Sequence, residues 1–287
     1  MLSAGLIEPT AGARISYASL MVYVEADATP EQRVRLAASL ANRFTAMLIG
    51  VSAVAVPPPI VADGMVMAES TDDDIELMRA KLADKGNWFR RVAGGDHQRL
   101  DWHAALDFPA EALTRAARSA DLVIIGQMKA PGGAYRALDP GEAILKMGRP
   151  TLVAPEGVNS LRAEHIVIGW KDTREARRAM RDALPFLQEA TRVTIVEACG
   201  PGEEKTALGR LDDVARYLSY HRIRGGPKVM LEQKGSGAQQ LIRIAQEERA
   251  DLLVTGAYGH SRLGEWIFGG MTRELLAASP FCCLMSH

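Results

Sequence analysis

The chain has 287 residues, 47% of them hydrophobic and 24% charged, with a formal net charge of −1, a mean hydropathy of −0.05 and a pI of about 6.6. That length accommodates two ordinary domains, and near-neutrality supplies no field to draw nucleic acid or an anionic membrane as a partner. No apolar run reaches the ~20 residues of a membrane-spanning helix, the N-terminus MLSAGLIEPT has no secretory pattern, and three cysteines without framework spacing (Cys199, Cys282 and Cys283) fit a reducing compartment, so the expected location is cytoplasmic.

In chain order, the pattern predicts strand 17–24, helix 30–44, strand 46–55, helix 72–93, strand 99–105, helix 109–119, strand 121–126, helix 140–147 and strand 150–155. Between 53 and 70 the run AVAVPPPIVADGMVMAES carries Pro57, Pro58 and Pro59. Consecutive prolines forbid a regular helix or a central strand, so this stretch reads as a surface loop. A polar segment, EGVNSLRAE at 156–164, reads as a linker. Beyond it come strand 165–170, helix 174–189, strand 192–198, helix 203–222, strand 226–233, helix 236–248, strand 250–255, helix 264–278 and strand 280–285. Helix starts are expected at Thr29-Pro30, Ser70 and Ser236.

The second series repeats the first. ADLVIIG at 120–126 returns as ADLLVTG at 250–256, and the same shift of 130 carries Pro150 onto Pro280. Earlier in each half the shift is 146, placing Leu20 on Ile166 and Met47 on Val193. The difference is a 16-residue insertion around the proline run. Short strands, apolar on both faces and separated by helices, indicate a parallel sheet covered on both sides. The expected fold is therefore α/β: two tandem doubly wound domains, 1–156 and 165–287, each with a five-stranded mainly parallel sheet. The last strand of each half is expected to pair with its counterpart, making an internal pseudo-dimer that hides two sheet edges.

In such sheets ligands bind beyond the carboxyl ends of the strands. After strand 250–255 the sequence reads GAYGHSRLGEWIFGGMT, with Gly256, Gly259, Gly269 and Gly270 followed by Met271 and Thr272. Glycines let a backbone approach a ligand closely, and amides at a helix start suit an anion such as phosphate. The Thr272 hydroxyl is a further candidate donor. The competing reading is that these glycines only permit tight turns and close packing.

With that loop the chain resembles the universal stress protein family in its tandem form, over about its whole length. Nucleotide-binding members carry glycine, two residues, glycine, nine residues, glycine, then serine or threonine; Gly256, Gly259 and Gly269 keep the spacing, and Gly270 replaces the hydroxyl residue. The resemblance implies an adenine-nucleotide α-hydrolase-like fold and a stress-response sensor binding ATP or AMP, with or without magnesium, in the C-terminal half. It places Gly256, Gly259, Gly269, Gly270, Met271 and Thr272 against phosphate and the backbone of Ala198 against adenine. Lys171 stands where the family has an acid near ribose and metal, with Asp172 beside it. A homodimer is a further partner expectation.

Shifted back by 130, the four glycine positions hold Gly126, Lys129, Asp139 and Pro140, and Glu142 replaces Thr272. Proline has no amide to offer and the acids oppose a phosphate, so the first half reads as a scaffold or partner-binding copy, with the proline-rich insertion a candidate wall for another pocket. No catalytic constellation and no zinc-type spacing among the six histidines is present, so neither a general base nor a protein-held metal is expected. Trp170 and Trp266 are read as core packing, the adjacent cysteines as buried filler. A nucleotide-free interaction protein and an adenine-binding α/β enzyme are the alternatives.

Overall fold

A computed structural model describes residues 15–62, 65–68, 70–94, 99–128, 137–232, 236–259 and 270–287. In the first half the elements are β1 (Ser19–Tyr23), α1 (Glu31–Phe44), β2 (Met47–Ala53), β3 (Ile60–Ala62), β4 (Met65–Ala68), α2 (Asp72–Ala93), β5 (Leu100–Ala105), α3 (Pro109–Ala116), β6 (Leu122–Gly126), α4 (Pro140–Met147) and β7 (Thr151–Ala154). The second half has β8 (His165–Trp170), α5 (Arg174–Asp182), α6 (Leu184–Leu187), β9 (Arg192–Cys199), α7 (Glu204–Tyr220), β10 (Gly225–Leu231), α8 (Gly237–Glu247), β11 (Leu252–Gly256), α9 (Gly270–Ala278) and β12 (Cys282–Ser286).

Ten strands form one sheet in the order β10-β9-β8-β11-β12-β7-β6-β1-β2-β5. Each half thus repeats the arrangement third, second, first, fourth, fifth, all parallel. The halves meet where β12 runs antiparallel to β7, with Cys283 opposite Val153 and Met285 opposite Thr151. This is the edge pairing expected from the sequence, and it leaves β10 and β5 as the sheet's two ends.

Strand side chains alternate between two apolar clusters, one on each face. Leu20, Val22, Ile166 and Ile168 join the face covered by α1, α2, α5 and α7. Met21, Tyr23 and Val167 join the face under α3, α4, α8 and α9. Burial on both faces explains why the strands read as apolar runs rather than alternations. On the first face Tyr17, Phe44 and Phe186 form an aromatic trio with centroids 5.1–5.6 Å apart. The Tyr17 hydroxyl donates to the Asp182 carbonyl at 2.6 Å, and Arg43 pairs with Glu189 at 2.7 Å. These contacts join the halves beyond the shared sheet.

Several local expectations are corrected. The 53–70 insertion is not only loop, because β3 and β4 pair antiparallel within it. The helix read over 174–189 breaks at Ala183, since Pro185 lacks an amide and crowds the preceding turn. Helix α2 is capped by Thr71 rather than Ser70: the Thr71 hydroxyl accepts from Asp74 N while the Asp74 carboxylate returns to Thr71 N. Pro30 itself occupies the cap position of α1, without a side-chain hydrogen bond. The Ser236 cap of α8 matches its expectation, accepting from Gln239 N at 3.1 Å. The polar segment 156–164 buries Leu161 and Ala163 in the core, so it is anchored rather than merely spanning. Of the helix read over 264–278, residues 264–269 lie outside the described residues.

Candidate functional site

Strand order reverses direction between β8 and β11, and this is where an open α/β sheet offers a crevice. A cavity of about 630 Å³ opens there, at the carboxyl ends of β8, β9 and β11. Its walls include Lys171 and Asp172 after β8, and Ala198 near the end of β9. They also include Gly256 and Gly259 after β11, and Gly270, Met271 and Thr272 in the first turn of α9. Eight of the nine residues singled out in the sequence therefore share one chamber. The ninth, Gly269, lies outside the described residues, as do His260 and Trp266.

The chamber has two characters. On the α8 side Gly169, Val196, Ala198, Met230 and Leu241 make an apolar floor. Gly169 is needed there because Leu241 Cδ2 lies 2.9 Å from where a Cβ would stand. At the mouth stand the polar groups of Lys171, Asp172, Thr173 and Thr272. Asp172 is paired with Arg177, whereas no described carboxylate pairs with Lys171. Thr173 caps α5, its hydroxyl accepting from Ala176 N at 3.3 Å.

The glycines divide by physical cause. A Cβ on Gly256 would come within 2.6 Å of Ala176 N and 2.8 Å of the Glu175 carbonyl carbon, so β11 ends in backbone contact with the first turn of α5. A Cβ on Gly259 would meet Glu175 Oε2 and Thr173 Oγ1 at 3.2 Å. Packing therefore accounts for both. Gly270 is different, because no atom of the described residues lies within 4 Å of its Cβ position. Between them Tyr258 holds a φ of +58°, which disfavours a bulky side chain. Its amide donates to Thr272 Oγ1 at 3.2 Å, which ties the loop to α9. Thr272 thus acts first as an acceptor for protein, and its hydroxyl proton remains available to a ligand. Burial, with the nearby Asp139 carboxylate, pushes the Tyr258 phenol up to about 12, so it stays protonated at physiological pH.

In the first half the equivalent crevice between β1 and β6 is furnished differently. The Arg33 side chain lies against Gly126, donating to Tyr23 O at 3.1 Å and to both Glu25 oxygens at 2.9 Å. Asp139 caps α4, accepting from Gly141 N at 2.7 Å and Glu142 N at 3.2 Å. The helix-start amides there are already bound by the chain's own carboxylate. Lys129 lies outside the described residues. A cavity of about 920 Å³ does border this half, but its walls come from residues 25–35, 126–128, 154–159 and Ala277. None is from the proline-rich insertion expected to shape a pocket.

Two features escaped the sequence reading. The Arg33–Glu25 pair needed tertiary contact to be recognised. Glu197 and Arg210 also line the second-half cavity: Arg210 Nε donates to Glu197 Oε1 at 2.8 Å, and the carboxylate is almost fully buried. The available signal was an acid at an inward position of β9, two residues beyond Ile195. Trp170 is buried in the core cluster as expected, yet it also borders the cavity.

Three comparisons place this architecture. Residues 164–287 match the model of the universal stress protein family. No curated protein matches the chain. Among solved structures, a universal stress protein from Archaeoglobus fulgidus superposes with a TM-score of 0.69 at 12% identity, over 94% of this chain and 98% of that one. A functionally unknown protein from Pseudomonas aeruginosa gives a TM-score of 0.55 at 12% identity, over 94% of this chain and 92% of that one. At such identity the likeness is one of fold, and it spans both halves. Residues 164–287 thus carry a universal stress protein domain, and the fold shared with a solved member of that family extends over both halves of the chain.

Proposed function

We propose that the cavity between β8 and β11 binds an adenine nucleotide, ATP or AMP, and that the protein is a cytoplasmic stress-response regulator rather than an enzyme. The observation that carries this reading is the pairing, in one chamber, of an apolar floor with a polar mouth that holds Lys171, Thr173, Thr272 and the glycines of the β11 loop and α9 start. Val196, Ala198, Met230 and Leu241 offer a flat aromatic base a surface of the right character. The turn at Gly259, the approach past Gly270, the Thr272 hydroxyl and Lys171, which no described carboxylate pairs, suit phosphates. A volume near 630 Å³ falls within the range of small-ligand sites. Magnesium, where present, would be carried by the nucleotide, since Lys171 occupies the position nearest the phosphates on this side. Differential affinity of the nucleotide for two conformations or assemblies would then be the signal, with the first half serving as scaffold and a homodimer as one such assembly.

Calorimetry with ATP and AMP, with and without magnesium, tests the reading, together with mass spectrometry of small molecules released on denaturation. Saturable binding at micromolar to low millimolar ligand is expected. No heat and no co-purified nucleotide would reject it. A second reading, a nucleotide-free interaction protein, is favoured by one observation: packing against α5 accounts for Gly256 and Gly259 without any ligand.

A further inference from the structure

Among the described residues the sheet ends in two edges, β10 and β5, and the two are built differently. Glu232 N donates to Cys199 O at 2.9 Å, so the even residues of β10 turn towards β9 and the odd ones outward. Pro227 therefore falls on the outer side, where a missing amide blunts the edge at no cost to the ladder, and Gly225 and Gly226 precede it. Strand β5 reads LDWHAA, with no proline, glycine or lysine. Its Ala105 carbonyl accepts from Val54 N at 3.2 Å, so Leu100, Trp102 and Ala104 present their backbone groups outward. The Trp102 amide is held by the neighbouring Asp101 carboxylate at 2.7 Å, and among the described residues the Ala104 amide has no partner. Asp101 and His103 project together on the α3 side, in register with Ile49 and Val51, about half exposed and 2.9 Å apart.

We infer that β5 is the contact surface of a homodimer, pairing antiparallel with β5 of a second copy about a two-fold axis through Trp102. In that register Trp102 exchanges both of its outward bonds with Trp102 of the second copy, and Leu100 does the same with Ala104. Asp101 of each chain gives up the Trp102 amide and stands directly opposite His103 of the other, a carboxylate facing an imidazole that can donate to it. Neighbouring registers lack this match. An axis through Asp101 sets two carboxylates against each other, and one through His103 sets two imidazoles. On the opposite face α2 packs on both β2 and β5. It therefore lies two strand spacings, about 10 Å, from its copy, the distance of packed helices. The two helices run antiparallel, so Asp72, Asp73 and Asp74 at the start of one lie towards Arg90 and Arg91 at the end of the other. The surface is thus self-complementary, as a two-fold contact requires. The inference rests on the homodimer reading, to which it gives a surface, and is independent of nucleotide binding.

The experiment is sedimentation equilibrium on the full chain, without nucleotide, from micromolar to submillimolar protein. The unmodified chain should reach a dimer. Ala104→Pro removes an outward amide and spares the bonds to β2, so it should raise the dissociation constant by on the order of tenfold or more while circular dichroism stays unchanged. A second measurement reads the register. Asp101→Cys and His103→Cys proteins, mixed under oxidising conditions, should form a disulfide-linked dimer, because opposed residues at that spacing suit the bond. Neither variant alone should do so, and the chain's own Cys199, Cys282 and Cys283 are buried. A monomer throughout the range overturns the homodimer and this surface together. A dimer that Ala104→Pro leaves as tight as before keeps the homodimer and overturns the surface, as does cross-linking of either single variant as readily as the mixture. The cysteine comparison decides the matter if Ala104→Pro does not fold.

Discussion

Arg33 and Gly126 are in contact across the first half's switch point, the guanidinium carbon lying 3.1 Å from where a Cβ on that glycine would stand. The equivalent glycine of the second half, Gly256, meets backbone instead, at 2.6 Å from Ala176 N. A side-chain end can shift by a few tenths of an ångström, but a helix's first turn can do so only with the helix. Gly256→Ala should therefore cost about 3 kcal/mol and Gly126→Ala about 1 kcal/mol, the upper and lower ends of overpacking effects. Urea unfolding of the two variants measures this. Equal losses would show that the β11–α5 contact is not rigid.

Gly270 separates architecture from binding. Among the described residues nothing obstructs its Cβ position, and it stands at the start of α9, so alanine there should leave stability unchanged or raise it by up to about 1 kcal/mol. The same methyl group intrudes on the proposed phosphate approach. Gly270→Ala should thus unfold no earlier than the parent in urea while retaining at least tenfold less nucleotide. Undiminished retention would remove Gly270 from the site.

Thr272 is bound into the loop through Tyr258 N. Thr272→Val keeps the shape but leaves that amide without its acceptor, a loss of about 1–2 kcal/mol. Thr272→Ser should recover most of it. Thermal unfolding of the three proteins gives the order parent, serine, valine; a valine variant as stable as the parent would show that the Tyr258 amide finds another partner.

Asp182 contributes a pH dependence of its own to stability. Burial raises its carboxyl above the ordinary value, although the Ser286 hydroxyl, donating at 2.8 Å, acts in the opposite direction. A raised folded-state pKa means the folded chain holds the proton more tightly than the unfolded chain. The resulting stabilisation is present at low pH and is lost as pH rises through the folded-state value. Asp182→Asn keeps an acceptor for Ser286 without the charge. It should melt at the same or a higher temperature than the parent at pH 7, the difference shrinking towards pH 3. A variant less stable at pH 7 but not at pH 3 would reverse the sign and overturn the assignment.

Much of the fold was legible because its evidence is local or periodic. The recurrence of ADLVIIG as ADLLVTG, with Pro150 answering Pro280, located equivalent strands without any contact information. The glycines after β11 likewise pointed to the loops that the sheet brings together. What misled the reading was local chemistry with more than one solution. Thr71 and Ser70 are both plausible caps, and the choice fell to Asp74, which completes a reciprocal pair only with Thr71. At Pro185 the apolar spacing runs on, but the residue has no amide to donate, and the helix is interrupted at Ala183.

By itself the sequence determined the two-fold repeat, the alternation of buried strands and helices, and the glycine loop after β11 that lines the cavity, because these follow from side-chain periodicity and backbone freedom along the chain. Tertiary structure decided the rest. Only with β11 laid against α5 does Gly256 become a packing requirement, while no described residue closes on Gly270. Only the register of β8 on β9 sets Trp170 beside Glu197, 27 positions apart. Close contact and shared burial between distant residues have no signature in linear order, since they depend on which strand becomes whose neighbour.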